Sequence, residues 1–314
     1  MPGSELYRQH HNFLAGVTQY YPLYLPGAKT FFVAPSTYTA VGGIVAADGN
    51  DGESPQAPLE TIARAHTLAV ASRGDTICLM PGTYTLTTAL AFTKIGVRLV
   101  ALKPYASTIT GDGVITNLMA IDGNDIEVAG IRFLGVAAAV VLLDIGNTSV
   151  VRNAHIHHCK FIGLETVASV EGILNGENIA GNDVDNTIIE DCWFEGLSEA
   201  CITTFGGGAQ IRNNVFNLDD TAAATGLAVG DQGAAFAAVK ALEINNCAFI
   251  GQTNASTLLA ITFRGAEANT QMWSARNCSF ASCAAPTADI HPEGAAGANY
   301  VGTATTTAPT LWPA

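Results

Sequence analysis

The sequence predicts an all-β fold, a parallel β-helix in which short strands wind coil upon coil into a solenoid. Three observations carry that prediction: an internal repeat anchored on Phe, a column of Cys at one position of the repeat, and a column of turn-tolerant residues beside it. The repeat aligns Val128-Ala-Gly-Ile-Arg-Phe133, Ile156-His-His-Cys-Lys-Phe161, Ile189-Glu-Asp-Cys-Trp-Phe194, Ile211-Arg-Asn-Asn-Val-Phe216, Ile244-Asn-Asn-Cys-Ala-Phe249 and Ala275-Arg-Asn-Cys-Ser-Phe280. Successive Phe positions lie 28, 33, 22, 33 and 31 residues apart. Gly follows two residues later at Gly135, Gly163, Gly196 and Gly251.

Parity gives the repeat its shape. The aliphatic residue and the Phe are an odd number of positions apart, so one flat strand would send them to opposite faces. Both are strongly apolar and belong in one core, so the chain must bend between them. The position three before the Phe holds Gly130, His158, Asp191, Asn213, Asn246 and Asn277. These residue types best tolerate left-handed backbone angles. The next position holds Ile131, Cys159, Cys192, Asn214, Cys247 and Cys278 and shares inward parity with the Phe. Cys stacked beside Phe in successive coils describes a solenoid interior. A sandwich or jelly roll gives no reason for Cys to recur at one column. The uneven spacing places loops of different length at fixed corners, the larger excursions being Glu165 to Asp185 and Asp219 to Ala238.

Residues 1–47 read as an aromatic-rich arm with Tyr7, Phe13, Tyr20, Tyr21, Tyr24, Phe31, Phe32 and Tyr38, broken by Pro22 and Pro26. That much apolar surface must pack on the β-helix or on a neighbouring chain. Asp48-Gly-Asn-Asp-Gly-Glu-Ser-Pro55 is a turn-rich lead-in. Residues 58–71 read as an amphipathic helix with Leu59, Ile62, Ala65, His66 and Ala69 on one face, suited to covering the open end of the first coil. Gly74-Asp-Thr-Ile-Cys-Leu-Met-Pro-Gly-Thr-Tyr84 is a strand closed by a Pro-Gly turn. The coils occupy 48–283, and residues 284–314 form an extended tail rich in Ala, Thr and Pro, anchored by Trp312.

Composition narrows the function. The 314 residues carry 14 Lys and Arg against 27 Asp and Glu, a formal net charge of −13. Nucleic acid and anionic membrane surfaces require clustered cations, so both are excluded as partners. With 48% hydrophobic and 13% charged residues the chain is folded, not disordered. The seven Cys include no CxxC pair and read as reduced, buried small hydrophobes. The N-terminus shows no basic segment followed by an apolar stretch, which predicts synthesis and retention in a cytoplasm or release without a signal peptide.

Chemistry-bearing residues each have a structural explanation. Asp183, Asp185, Glu190 and Asp191 cluster in sequence, as do Asp219, Asp220 and Asp231, with Arg152, Lys160 and Arg212 as basic partners. Asp191 sits in the turn column, Glu190 and Arg212 share one column as solvated neighbours, and Asp183 and Asp185 belong to a Gly-Asn-Asp-Val-Asp-Asn loop. His155, His157 and His158 lack the second cluster that zinc ligation needs and read as a polar coil corner. Trp193 has outward parity beside Phe194, while Trp273 lies near a coil start. The sequence reading therefore assigns no catalytic, cofactor-binding or metal residue and no cofactor.

The lead-in at Asp48, the helix, the Gly74–Tyr84 strand and the Ile-x-Asn-Asn/Cys-x-Phe coils with their asparagine turns resemble the right-handed parallel β-helix of the pectate-lyase-like superfamily, over about residues 48–283. The resemblance is specific for fold. The superfamily holds polysaccharide lyases, glycoside hydrolases and phage tailspikes, and fold alone does not decide among them. A lyase of this kind implies acidic calcium ligands with an Arg or Lys base, and a glycosidase implies two carboxylates in a groove. The aromatic arm, rigid coils and lack of a separated acid cluster also resemble a bacteriophage virion protein. That resemblance implies a non-enzymatic head-decoration or small spike role in a virion assembled in the host cytoplasm. It further implies attachment to other virion proteins through the arm, a homo-oligomer with trimer symmetry, and a host glycan as candidate ligand. The alternative is a polysaccharide lyase or glycoside hydrolase on the same scaffold.

Overall fold

The computed structural model describes residues 27–40, 42–136, 140–164, 170–176, 184–204, 208–218, 225–229, 242–251, 259–263, 273–281 and 290–291. They form the predicted right-handed parallel β-helix. From Thr76 onward each coil places one strand in each of three parallel sheets, in the repeating order sheet I, sheet II, sheet III. Sheet I has nine strands: Thr30–Val33, Thr76–Leu79, Arg98–Ala101, Glu127–Ala129, His155–His157, Ile188–Glu190, Gln210–Arg212, Leu242–Asn245 and Trp273–Arg276. Sheet II has eight, starting at Gly82–Leu86 and Ser107–Gly111 and continuing through Arg132–Leu134, Lys160–Ile162, Trp193–Glu195, Val215–Leu218 and Ala248–Gly251 to Ser279–Ala281. The eight strands of sheet III run from Leu90–Phe92 to Ile290–His291.

Register turns the sequence columns into stacks. Ile77, Leu99, Val128, Ile156, Ile189, Ile211 and Ile244 pair coil to coil down sheet I and are fully buried. In sheet II the rings of Phe133, Phe161, Phe194, Phe216 and Phe249 stack nearly parallel, with centroids 5.0, 5.0, 5.0 and 4.6 Å apart. Cys159, Cys192, Cys247 and Cys278 are free and buried beside them. Asn214 occupies the same column without penalty: its Oδ1 accepts from the Cys192 N–H and its Nδ2 donates to the Ile189 carbonyl, both at 2.9 Å.

The bend between sheets I and II is one left-handed residue. His158, Asp191, Asn213, Asn246 and Asn277 have φ between 53° and 56°, and Gly130 has φ 72°. A second left-handed ladder, not legible beforehand, precedes the sheet I strands at Gly96, Asp125, Asn153, Asn186 and Gly208. Asn153 Nδ2 donates to Asp125 Oδ1 at 2.8 Å. Variable loops from sheet III hide this ladder's period in the sequence.

Four expectations shift. The two predicted excursions each contain a strand of sheet III, Val170–Asn175 and Thr225–Val229. Their small residues read as loop, yet Gly172 is demanded by close strand approach: a Cβ there would stand 2.3 Å from the Cys201 carbonyl oxygen. The helix spans Ile62–Leu68, not 58–71, because the Thr61 hydroxyl caps it by accepting from the Arg64 N–H, while Leu59 forms a β-bridge with Val33. This helix packs on the first strand of sheet III and the first two of sheet I. Within the predicted arm, Thr30–Val33 is the first strand of sheet I, with Phe31 and Val33 inside the core. Within the predicted tail, Ile290–His291 joins sheet III. Arm residues 1–26 and tail residues 292–314 lie outside the described residues.

Candidate functional site

The strand parity that buries the Ile column of sheet I turns the residues on either side of it outward. One outward column runs Arg98, Glu127, His155, and the other His157, Glu190, Arg212. The columns are cross-linked. His155 Nε2 lies 2.8 Å from Glu190 Oε1, and His157 Nε2 lies 3.0 Å from Glu127 Oε1. Each imidazole thus reaches diagonally to the acid of the other column. Arg98 Nε stands 3.5 Å from Glu127 Oε2. Arg212 Nε stands 2.9 Å from Glu190 Oε2, at ion-pair distance but off the line of a hydrogen bond. His157 Nδ1 meets His158 Nδ1 at 2.9 Å, so one of the two donates and the other accepts. His158 Nε2 lies 4.0 Å from Asp191 at the corner.

These groups are not merely solvated. The His157 side chain is 5% exposed, Glu127 12%, Glu190 19% and His155 26%. Burial lowers the His155 pKa, aided by the neighbouring His157, and this outweighs the opposing pull of Glu190, so the ring is neutral at neutral pH. His158 is lowered by the same two causes. Burial pushes the Glu190 carboxyl up, but the hydrogen bond from His155 and the Arg212 guanidinium outweigh it and hold the group below its ordinary range. A neutral imidazole giving its Nε2–H to an ionised carboxylate keeps its Nδ1 lone pair, which is the arrangement of a general base.

The sequence candidates divide accordingly. Glu190, Arg212, His155, His157, His158 and Asp191 come together here, so Glu190 and Arg212 are an ion pair and the His triplet is more than a coil corner. Asp185 pairs instead with Arg152 at 3.6 Å, on the two-stranded sheet of Val151–Arg152 and Val184–Asp185. Lys160 and Trp193 lie on the outer face of sheet II. Asp183, Asp219, Asp220, Asp231, Trp312 and the side chain of Trp273 lie outside the described residues. Arg98 and Glu127 were missed. Their signal was parity, since each stands one position before an inward aliphatic residue, as His155 does.

Among the described residues no three His, Cys, Asp or Glu are grouped to hold a metal ion. The acids of this face are already engaged by His and Arg, so the calcium ligation that a lyase resemblance implies does not fit them.

No protein-family model matches the sequence, and no curated protein matches it. Solved structures do. YbhC of Escherichia coli aligns with a TM-score of 0.56 at 13% identity, over 88% of this chain and 79% of that one. The pectin methylesterase PemA of Erwinia chrysanthemi gives 0.54 at 13% identity, over 88% and 91%. The pectin methylesterase of Aspergillus niger gives 0.52 at 13% identity, over 90% and 93%. Likeness at this identity establishes the shared parallel β-helix fold.

Proposed function

We propose that the chain is a polysaccharide-cleaving enzyme whose base is the His155–Glu190 dyad on the outer face of sheet I. The observation that carries this reading is the 2.8 Å bond between a neutral, partly buried imidazole and a carboxylate that is itself flanked by Arg212. Glu190 accepts at Nε2 and fixes the ring, leaving Nδ1 to take a proton from substrate. Base-led elimination suits the site better than glycoside hydrolysis. A glycosidase needs a carboxyl group held protonated near neutral pH, and Glu190 is shifted the other way. In elimination, Nδ1 takes the ring proton beside the sugar's carboxyl group, and the electrons of that C–H bond form a C=C bond as the bond from the neighbouring carbon to the glycosidic oxygen breaks. That oxygen leaves as a hydroxyl after taking a proton from solvent or from the imidazolium formed.

Two further points support an enzyme over the expected structural role. That expectation rested, beside the aromatic arm and rigid coils, on each candidate acid and His having a turn or solvent explanation, which Glu190, His155 and His157 do not. The reported fold neighbours with names include pectin methylesterases, and they lend the virion reading no support. Their names also favour a second use of the dyad, activation of water against a sugar ester.

One assay separates the outcomes. Partly methyl-esterified pectin is incubated with the protein, reading unsaturated ends by ultraviolet absorbance and free methanol in parallel. Elimination gives the first signal and ester hydrolysis the second. His155→Ala and Glu190→Gln should each lower kcat by 100-fold or more, in line with losing a positioned base. With wild type, activity should fall as pH drops through the His155 pKa, below 6.5. No product from pectin, pectate or alginate, or turnover untouched by both substitutions, would sink the proposal.

A further inference from the structure

The outer face of sheet II carries an unexplained pair of cations. Arg132 and Lys160 are direct register neighbours on adjacent strands, and Trp193 follows Lys160 in the same column. Among the described residues neither cation makes a side-chain hydrogen bond or ion pair, and Arg132 Nε is buried with no partner. Like charges directly opposite one another on neighbouring strands repel. The chain has nearly twice as many acids as bases, 27 against 14, yet among the described residues none forms an ion pair with either cation. Asp191, whose charge helps burial raise the Tyr105 pKa, is drawn to His158 at 4.0 Å. Glu195, in the neighbouring column of sheet II, is occupied in accepting the Trp193 indole N–H at 3.0 Å.

Aromatic faces frame the pair. Lys160 Nζ sits 4.9 Å from the Tyr105 ring centroid and 5.8 Å from that of Trp193. Those contacts hold the ammonium group without using its N–H donors. Tyr105 is 37% exposed and has φ 62°, a left-handed backbone that a bulky residue adopts only when its surroundings impose it.

We infer that this corner is a binding subsite for an acidic sugar residue, with the pyranose ring against Tyr105 and Trp193 and its anionic group on Arg132 and Lys160. A guanidinium fork and an ammonium beside it match a carboxylate or sulfate oxygen set, and a buried unpaired Nε is relieved by that contact. The apolar faces of the rings supply the contact that a free inorganic anion lacks. The site stands on sheet II, apart from the dyad on sheet I. It rests on the proposed activity only in treating the ligand as part of a polysaccharide.

The test is calorimetric binding of three oligosaccharides to the full chain: an oligogalacturonate, a sulfated galactan oligomer and a neutral galactan oligomer. One acidic oligomer should bind at least tenfold more tightly than the neutral one, and which of the two does so identifies carboxylate or sulfate. Lys160→Gln and Arg132→Gln should each weaken that binding tenfold or more with an unchanged thermal midpoint, Tyr105→Ala should weaken it as well, and Lys160→Arg should restore most of the Lys160→Gln loss. Equal affinity for the neutral oligomer, no binding of either acid, or binding unaffected by Lys160→Gln overturns the subsite. Acid binding lost in Lys160→Gln by a wild type that turns over no polymer leaves the subsite standing and removes the catalytic proposal.

Discussion

The aromatic stack makes a quantitative claim. Phe194 is fully buried with Phe161 on one side and Phe216 on the other, both centroids at 5.0 Å and the planes within 10° and 12°. Truncating a buried Phe to Ala costs about 3–5 kcal/mol, and each favourable ring pair adds about 0.5–1.5 kcal/mol beyond area burial. With two ring partners, Phe194→Ala belongs at the upper end, about 4–5 kcal/mol. Phe133 has one ring partner, Phe161 at 5.0 Å, and Ile109 as its register neighbour on the other side. Phe133→Ala should therefore cost about 3–4 kcal/mol, one ring pair less. Phe194→Leu keeps most of the volume and loses both ring pairs, about 1–3 kcal/mol. Urea unfolding followed by far-ultraviolet circular dichroism measures all three, with the slope checked for constancy because solenoids can unfold piecewise. A cost below about 2 kcal/mol for Phe194→Ala, or a larger one for Phe133→Ala, would refute additive stacking along the coil axis.

Two further outcomes follow from the N-terminal coils. Burial, with Lys94 nearby, lowers His66 from 6.5 to about 4. The unfolded chain then takes its proton first, so stability is intact above 6.5 and erodes as pH falls towards 4. The loss is bounded by about 3–4 kcal/mol at 1.36 kcal/mol per pH unit. His66→Leu should flatten the acid limb of the thermal midpoint against pH, and an unchanged limb would assign it elsewhere. A chain beginning at Ala47 lacks Thr30–Val33, hence the buried Phe31 and Val33 and the Val33 carbonyl that accepts from the Tyr84 hydroxyl at 2.8 Å. It should lose about 3–6 kcal/mol from the two side chains alone; full retention of stability would return those residues to the role of a separable arm.

The fold was legible because its interior repeats. Phe at one column of six coils, with Cys two before it in four of them, reports inward parity, and His158, Asp191 and the Asn residues report the bend. The sheet III strands were not, since Val170–Asn175 and Thr225–Val229 carry Gly and small side chains that read as loop, and at Gly172 close strand approach demands the Gly. The candidate site was half legible. Glu190, Arg212 and the three His were visible as residues while Arg98 and Glu127 were not, and the partners lie one coil away, 30 to 35 positions along the chain for the two His–Glu contacts. Judged singly, Glu190 and Arg212 are ordinary surface charges, and His158 is one more residue in a turn ladder. The diagonal contacts follow only from the strand register.

That register links the core to the chemistry. Ile156 and Ile189 are register partners facing inward, and they bring His155 and His157 on one strand to within one sheet spacing of Glu190 on the next. Backbone ladders hold this spacing at about 4.8 Å. An imidazole and a carboxylate on such a grid need only a rotamer choice to meet, so little ordering entropy remains for the reaction to supply. The same grid explains why two cations side by side at Arg132 and Lys160 are informative. On a flexible loop they would swing apart, whereas on adjacent strands their backbones are fixed side by side. A core substitution that shifts the Ile156–Ile189 register should therefore disturb the dyad, and a shift near Phe133–Phe161 should disturb the cation pair, although neither touches substrate.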